Sequence, residues 1–329
     1  MNALLDRVAV LLVALAAMLW GTDALFRAPL IEHLSKDRLV ASVQLVFAEH
    51  VVLALVVLPL LWLGRREIRR LKRRQWTAIA LIGVGASALA TVFFTQSFTY
   101  GHFIETLLLQ KTQPLIALVL ARLWLGERLP PRTYLWFPVA LAGAYLIAIP
   151  DPLHPERAWA DFHVAAAVFA LGAAALWGAG TVFGRYALAG VSFPTLTALR
   201  FTIALPALGV ALWLIAGAQA FTQYRSSDLP LYLGIALLPG LVAMLLYYRG
   251  LASTPASMAT LAELAFPITG VIVNLYFVSP PRTITPWQIA GIAVLWLAIA
   301  ALDLENARRP ARVGPPEGTR AGGAEVATT

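Results

Sequence analysis

Ten stretches of about twenty mostly apolar residues fill nearly the whole chain, at roughly 8–27, 39–63, 76–98, 102–123, 133–150, 163–185, 193–217, 229–250, 256–278 and 286–304. About 20 such residues, wound as an α-helix, cross the hydrocarbon core of a bilayer. Backbone polar groups in lipid are satisfied only inside helices or closed barrels. The pattern therefore predicts an all-α, polytopic membrane protein with ten transmembrane helices. Only 13% of the residues are charged, about half the share of a soluble protein. The run from Val8 is longer than a signal-peptide core, ends in Trp-Gly-Thr-Asp and is followed by more spans, so it is read as the first helix. Trp62, Trp76, Trp136, Trp159, Trp213 and Trp287 fall near predicted helix ends, where amphipathic rings favour the headgroup zone.

The formal net charge of +8 would suit nucleic acid on a soluble domain, but here the basic residues sit between apolar segments. They set topology instead. The connection 64–75 carries Arg65, Arg66, Arg69, Arg70, Lys72, Arg73 and Arg74. Placing it in the cytoplasm puts most of the Lys and Arg there and gives both termini a cytoplasmic location, N-in and C-in. Arg27, Lys36, Arg38, Arg157, Arg225 and Arg282 are then the basic residues expected outside. Residues 307–329, rich in Gly, Pro, Ala and Thr, read as a disordered cytoplasmic tail.

The chain contains one arrangement twice. A gapless shift of 153 positions carries Phe94 onto Tyr247, Leu108 onto Leu261, Gln110 onto Glu263 and Pro114 onto Pro267. Leu19-Trp20-Gly21 recurs as Leu176-Trp177-Gly178, each followed by a phenylalanine, Phe26 and Phe183. Five segments in 1–150 and five in 151–306 give two repeats with an odd number of spans. Repeats that fold alike must then insert in opposite directions. Such inverted repeats place a binding site near the midplane between them and work by alternating access.

A charge at the bilayer centre costs at least about 2.5–3.5 kcal/mol, so such residues pair with each other or face a cavity. The intramembrane charges are Asp23, Glu49, Glu105, Lys111, Arg200, Arg249 and Glu263. Asp23 and Glu105 lie nearest predicted ends, and for each residue a structural ion pair competes with a functional role. Lys111 and Glu263 each lie within a turn of a matched proline, and proline leaves a carbonyl one turn earlier without its donor. Pro114 and Pro267 are accordingly expected as helix breaks, with Lys111 and Glu263 close to one another across the pseudo-two-fold axis. Gln110, Lys111, Thr112 and Gln113 are four successive polar residues and cannot all face one neighbour. His50 reads as a packing residue. Trp20 and Trp177 abut glycines that leave room for a flat ligand, while Gln96, Tyr100 and Tyr247 offer it hydrogen bonds. The expected cavity set is Trp20, Asp23, Gln96, Tyr100, Gln110, Lys111, Trp177, Arg200, Tyr247 and Glu263.

No Walker loop, His-Glu-x-x-His zinc motif or Ser/His/Asp set occurs, and there is no cysteine. Enzymatic activity, a resident metal and a cofactor are therefore not expected. Gly178, Gly180 and Gly184 read as small-residue helix packing.

Trp20-Gly21 with Trp177-Gly178, the Arg200-Phe201 pair, Glu263 four residues before Pro267, and Leu125-Gly126-Glu127-Arg128 together resemble the EamA-type drug/metabolite transporter superfamily. The likeness covers nearly all of 8–304. It implies ten helices, an inverted five-plus-five repeat, a central cavity built mainly from the first four helices of each half, and export of small metabolites or amino acids. One departure stands out: where the first half has Gly126-Glu127-Arg128, the second has Ser279-Pro280-Pro281-Arg282, without the acid.

The resulting expectation is a secondary transporter or facilitator in the inner (plasma) membrane, exporting small metabolites. A near-neutral mix of acids and bases beside aromatic rings suits zwitterions, so amino acids lead. Proton coupling would use Glu263 first, with Asp23 or Glu49 second. The alternatives are efflux of lipophilic cations by proton antiport, or a non-transporting receptor or assembly protein. The expected partners are a small-molecule substrate and the lipid bilayer, with no nucleic acid. A monomer is the expected state and a dimer the alternative.

Overall fold

The structure is a computed structural model and describes residues 8–100, 106, 109–127, 131–149, 151–158, 163–278 and 284–307. Glu105, Leu108, Trp159, the Ser279–Arg282 sequence and the tail from Arg308 lie outside the described residues. Among those described, every regular element is helical.

Among the described residues eight helices are long and apolar enough to cross a membrane; where the fourth and fifth spans are expected lie the shorter apolar helices Gln113–Trp124 and Tyr134–Ile147. In chain order, α1 (Ala9–Trp20) and α2 (Ala24–His33) are joined by a bend at Gly21–Asp23. Next come α3 (Arg38–Val56), α4 (Leu58–Ile68), α5 (Arg73–Leu81) and α6 (Ala90–Phe98), the last two linked by a π-helical stretch, Ile82–Leu89. Then α7 (Gln113–Trp124) and α8 (Pro131–Ala148) complete the first half. The second half holds α9 (Val164–Ala187), α10 (Phe193–Ala216), α11 (Leu229–Ile235), a π-helical stretch at Ala236–Val242, and α12 (Ala243–Leu251). It closes with α13 (Ala256–Ala262), a 3₁₀ turn at Glu263–Ala265, α14 (Phe266–Val273) and α15 (Pro286–Ala307).

Two sequence expectations take shape here. Pro114 enters α7 directly after a turn at Lys111–Thr112, and Pro267 enters α14 directly after the 3₁₀ turn. Both prolines thus sit in a first helical turn, where the missing N–H has no intrahelical partner to lose. The first apolar run does not stop at Arg27 but bends and continues to His33. The basic connection after the second span is itself largely helical, through α4 and the start of α5.

The pairing of helices crosses the middle of the sequence throughout. α1 lies against α12 and α14, α3 against α10, α9 against α6 and α7, α7 against α13, and α8 against α15. Small residues make these approaches possible. A Cβ on Gly143 would lie 2.9 Å from the Leu295 nitrogen, and one on Gly291 would lie 2.8 Å from the Gly143 carbonyl oxygen, so α8 and α15 touch backbone to backbone. Outward-facing Leu55, Leu63, Leu123, Leu135, Leu214 and Leu297 are exposed, as are Trp62, Trp76, Trp213 and Trp287. Such a surface would aggregate in water and is stable in lipid.

Candidate functional site

A cavity opens where the irregular segments meet. Its wall takes residues from the α1–α2 bend, α3, both π-helical stretches, the Lys111 turn, α9, α10, α12 and the Glu263 turn. π-helical geometry takes more residues per turn than an α-helix and often marks functional positions. Here it presents Ala86 and Ser87 sideways to the neighbouring half. The Ala86 carbonyl accepts a 2.8 Å bond from the Trp177 indole, and the Ser87 hydroxyl accepts a 2.6 Å bond from Arg200 Nε.

Of the expected cavity set, Trp20, Asp23, Gln110, Lys111, Trp177, Arg200, Tyr247 and Glu263 converge on this one space, and Pro114 lines it too. Gln96 does not. It is buried among helices, where its Oε1 accepts a 2.8 Å bond from the Ser42 hydroxyl. Tyr100 does not either; its ring stacks near His163 and Phe169 and lies under the Arg38 guanidinium at 5.0 Å. Arg249, also expected in the membrane, is off the cavity wall and donates to the Ser253 hydroxyl. Pro267 is buried behind the wall.

Two clusters organise the charge. In the first, Arg27 donates through Nε and Nη2 to both oxygens of Asp23, through Nη2 to Glu49 at 3.2 Å, and through Nη1 to Thr95 at 2.8 Å. This corrects the placement of Arg27 outside the membrane: it is buried on the cavity wall and joins α2, α3 and α6. The i, i+4 spacing of Asp23 and Arg27 was the available sequence signal. In the second cluster, buried Glu263 accepts from Gln113 Nε2, the Tyr247 hydroxyl at 3.0 Å and the Thr181 hydroxyl at 3.2 Å. Gln113 comes from the first half of the chain, Thr181 and Tyr247 from the second.

Lys111 and Glu263 share the cavity, but no ion pair within 4.0 Å joins them among the described residues. The Lys111 ammonium instead lies over the Phe266 ring at 4.4 Å and donates to Gln110 Oε1 at 3.3 Å. Among the described residues Arg200 likewise meets no carboxylate. Besides Ser87, it donates through Nη1 to the Tyr248 hydroxyl at 2.9 Å and approaches the Met244 sulfur at 3.0 Å.

The remaining wall is aromatic. Trp20 and Tyr247 meet at 5.1 Å between ring centroids, and Phe94 meets Trp177 at 5.1 Å and Phe266 at 6.4 Å. The glycines beside the tryptophans do not make ligand room. A Cβ on Gly21 would come within 2.7 Å of the Gly270 nitrogen, and one on Gly178 within 3.1 Å of the Gln113 carbonyl, so both serve helix contact. Gly180 and Gly184 pack as expected, on Ala86 and Tyr248. About 140 Å³ of the cavity admits the centre of a water molecule, enough for several waters. A larger solute needs the walls to part.

Sequence reasoning left Arg27, Ser87, Gln113, Thr181 and Met244 out of the site; all line the cavity. His50 and Glu49, treated as secondary, line it as well.

The model of the EamA-like transporter family matches this chain twice, over residues 7–149 and 164–302. The "Riboflavin transporter ImpX" of Fusobacterium nucleatum subsp. nucleatum is 32% identical over 304 residues, covering 90% of this chain and 97% of that protein. An uncharacterized transporter of Bacillus subtilis, YwfM, is 26% identical, covering 89% of this chain and 93% of its own. A "Riboflavin transporter" of Brucella anthropi is 23% identical, covering 78% and 86%. A solved crystal structure superposes over 93% of this chain and 99% of its own with a TM-score of 0.66, at 17% identity, which speaks for the fold alone. The chain is a multi-pass membrane protein and belongs to the EamA-like transporter family.

Proposed function

We propose that this protein is a riboflavin transporter that takes its substrate up through the aromatic-walled cavity by alternating access, in place of the export expected from the sequence. The observation that carries the reading is near-full-length similarity, 32% identity over 97% of its length, to a protein named as a riboflavin transporter. The chemistry of the wall supports it. An amino acid needs a carboxylate for its ammonium group, but Asp23 and Glu49 are taken by Arg27, and Glu263 already accepts three bonds. The charges that suggested a zwitterion are thus largely satisfied within the protein, and amino acids give way to flavin as the leading substrate. Lipophilic cations lose ground for the same reason, with Lys111 and Arg200 adding repulsion. A flat, uncharged ring system suits what is left: indole and phenyl faces and cationic donors for ring carbonyls.

The same reading holds that the chain is an inverted five-plus-five repeat with both termini in the cytoplasm. Support comes from the offset of 153, which carries Leu89 onto Val242, the last residues of the two π-helical stretches. The helix pairings also repeat between halves: α1 meets α12 and α14, while α9 meets α6 and α7. Binding a flavin requires the walls to separate on one side, as alternating access provides.

In a riboflavin-auxotrophic bacterium lacking its own transporter, expression of this chain should restore growth at low external riboflavin. Strains carrying the empty vector should still need high concentrations. Equal growth of the two strains would sink the flavin reading.

A further inference from the structure

We infer that His50 reads the imide edge of the transported ring, the N–H flanked by two carbonyls; this rests on the flavin reading above. His50 sits in α3, fully buried, on the cavity wall. Its Nδ1 lies 2.8 Å from the Val46 carbonyl oxygen. A carbonyl only accepts, so Nδ1 carries the hydrogen and, in the neutral ring, Nε2 presents a lone pair. Nothing among the described residues donates to Nε2. Buried polar atoms are nearly always paired, and one that is not asks for a ligand, a water or a function.

The ring is also held in position. Phe201 meets it edge-on, with centroids 5.7 Å apart and planes at 72°. The same Phe201 ring lies 5.7 Å from the Arg200 guanidinium carbon. Arg200 uses Nε on Ser87 and Nη1 on Tyr248 and Met244. Its Nη2 makes no protein hydrogen bond among the described residues. A fixed acceptor and a fixed donor, each with capacity to spare, therefore pack against one aromatic ring at the cavity, the acceptor shielded from solvent until the walls part. The complementary ligand is a planar heterocycle offering N–H beside C=O. The pyrimidine portion of isoalloxazine has that pattern: its N3–H would donate to His50 Nε2 and an adjacent carbonyl would accept from Arg200. An amino acid has no such edge. Neither bond requires a charge on the ligand.

Uptake of riboflavin and of its N3-methyl derivative, measured in the same cells, tests this. Methylation removes the donor and leaves His50 unpaired, so wild-type protein should favour riboflavin by about tenfold or more in apparent affinity. His50→Leu should lower riboflavin affinity and bring the ratio between the two compounds close to one. His50→Gln, whose Oε1 also accepts, should keep part of the preference, and His50→Phe replaces the leucine variant if that one does not reach the membrane. Equal uptake of both compounds by wild type, or an unchanged ratio in the leucine or phenylalanine variant, overturns the role of His50 and leaves the flavin reading intact. No riboflavin uptake by wild type would overturn both.

Discussion

Arg27→Met should cost about 3–5 kcal/mol and leave little folded protein in the membrane, the largest effect expected of any single change in the cavity wall. The substitution keeps much of the side-chain volume but leaves the buried Glu49 beside the partly buried Asp23 with no cation. Arg27 is bound to Asp23 by two bonds, to Glu49 by one and to Thr95 by one, so its loss also leaves the Thr95 hydroxyl without that partner. The triple variant Arg27→Met, Asp23→Asn, Glu49→Gln removes the charges together and should recover most of the stability, because buried ion pairs are replaceable as units far more cheaply than by halves. Membrane abundance and thermal unfolding in detergent report both outcomes. An Arg27→Met protein that melts like wild type would show that the cluster is solvated and not a structural clasp.

The second large effect is expected where the two halves are held together away from the cavity. Glu127 accepts from the Ala256 nitrogen at 2.9 Å, from the Ser257 nitrogen at 3.1 Å and from the Ser257 hydroxyl, and so caps the start of α13 from across the chain. Glu67 does the same for α10, accepting from the Ser192 nitrogen at 2.8 Å and its hydroxyl at 2.9 Å. Carboxylates complement helix N-termini in charge and in hydrogen bonding. In the proposed topology both caps lie at the cytoplasmic ends of their helices, where they would hold the two halves together on that side. The acid after the fourth span, which the second half lacks at Ser279–Arg282, thereby gains a physical role. Losing one cap worth about 1–2 kcal/mol should raise the population of the opened state by about tenfold. The chain has no cysteine, so Thr91→Cys introduces a single thiol on the cavity wall. Its labelling rate in purified protein should rise about tenfold with Glu127→Ala and further with Glu67→Ala added. An unchanged rate in both would mean the caps only finish helices.

Much of this molecule can be read from the sequence, and the misses have definite physical causes. Apolar length reveals eight of the expected spans, because lipid leaves the backbone no choice but helix. Pro114 and Pro267 lie in the first turns of α7 and α14, and the intramembrane charges and aromatic residues, together with Gln110, give eight residues that line the cavity. Gln96 was assigned the right helix and the wrong face. The π-helical stretch at Ile82–Leu89 just before it shifts the phase of α6, and little in Ile-Gly-Val-Gly-Ala-Ser-Ala-Leu announces that winding. Arg27 escapes the apolar-length reading because the first apolar run breaks there, whereas a bend at Gly21–Asp23 lets the helix run on as α2. Counting charges suggested a zwitterion, but a count does not tell which charges neutralise one another. Only the geometry separates the Asp23–Arg27–Glu49 cluster from Lys111 and Arg200, which meet no carboxylate among the described residues.

The central claim is that the cavity carries a flavin, and counterflow with purified protein tests it most directly. Proteoliposomes loaded with unlabelled riboflavin and diluted into a trace of labelled riboflavin should accumulate the label transiently. Unlabelled amino acids inside the vesicles should not support that accumulation. Accumulation driven by an internal amino acid, or none with riboflavin in vesicles that hold folded protein, would contradict the account.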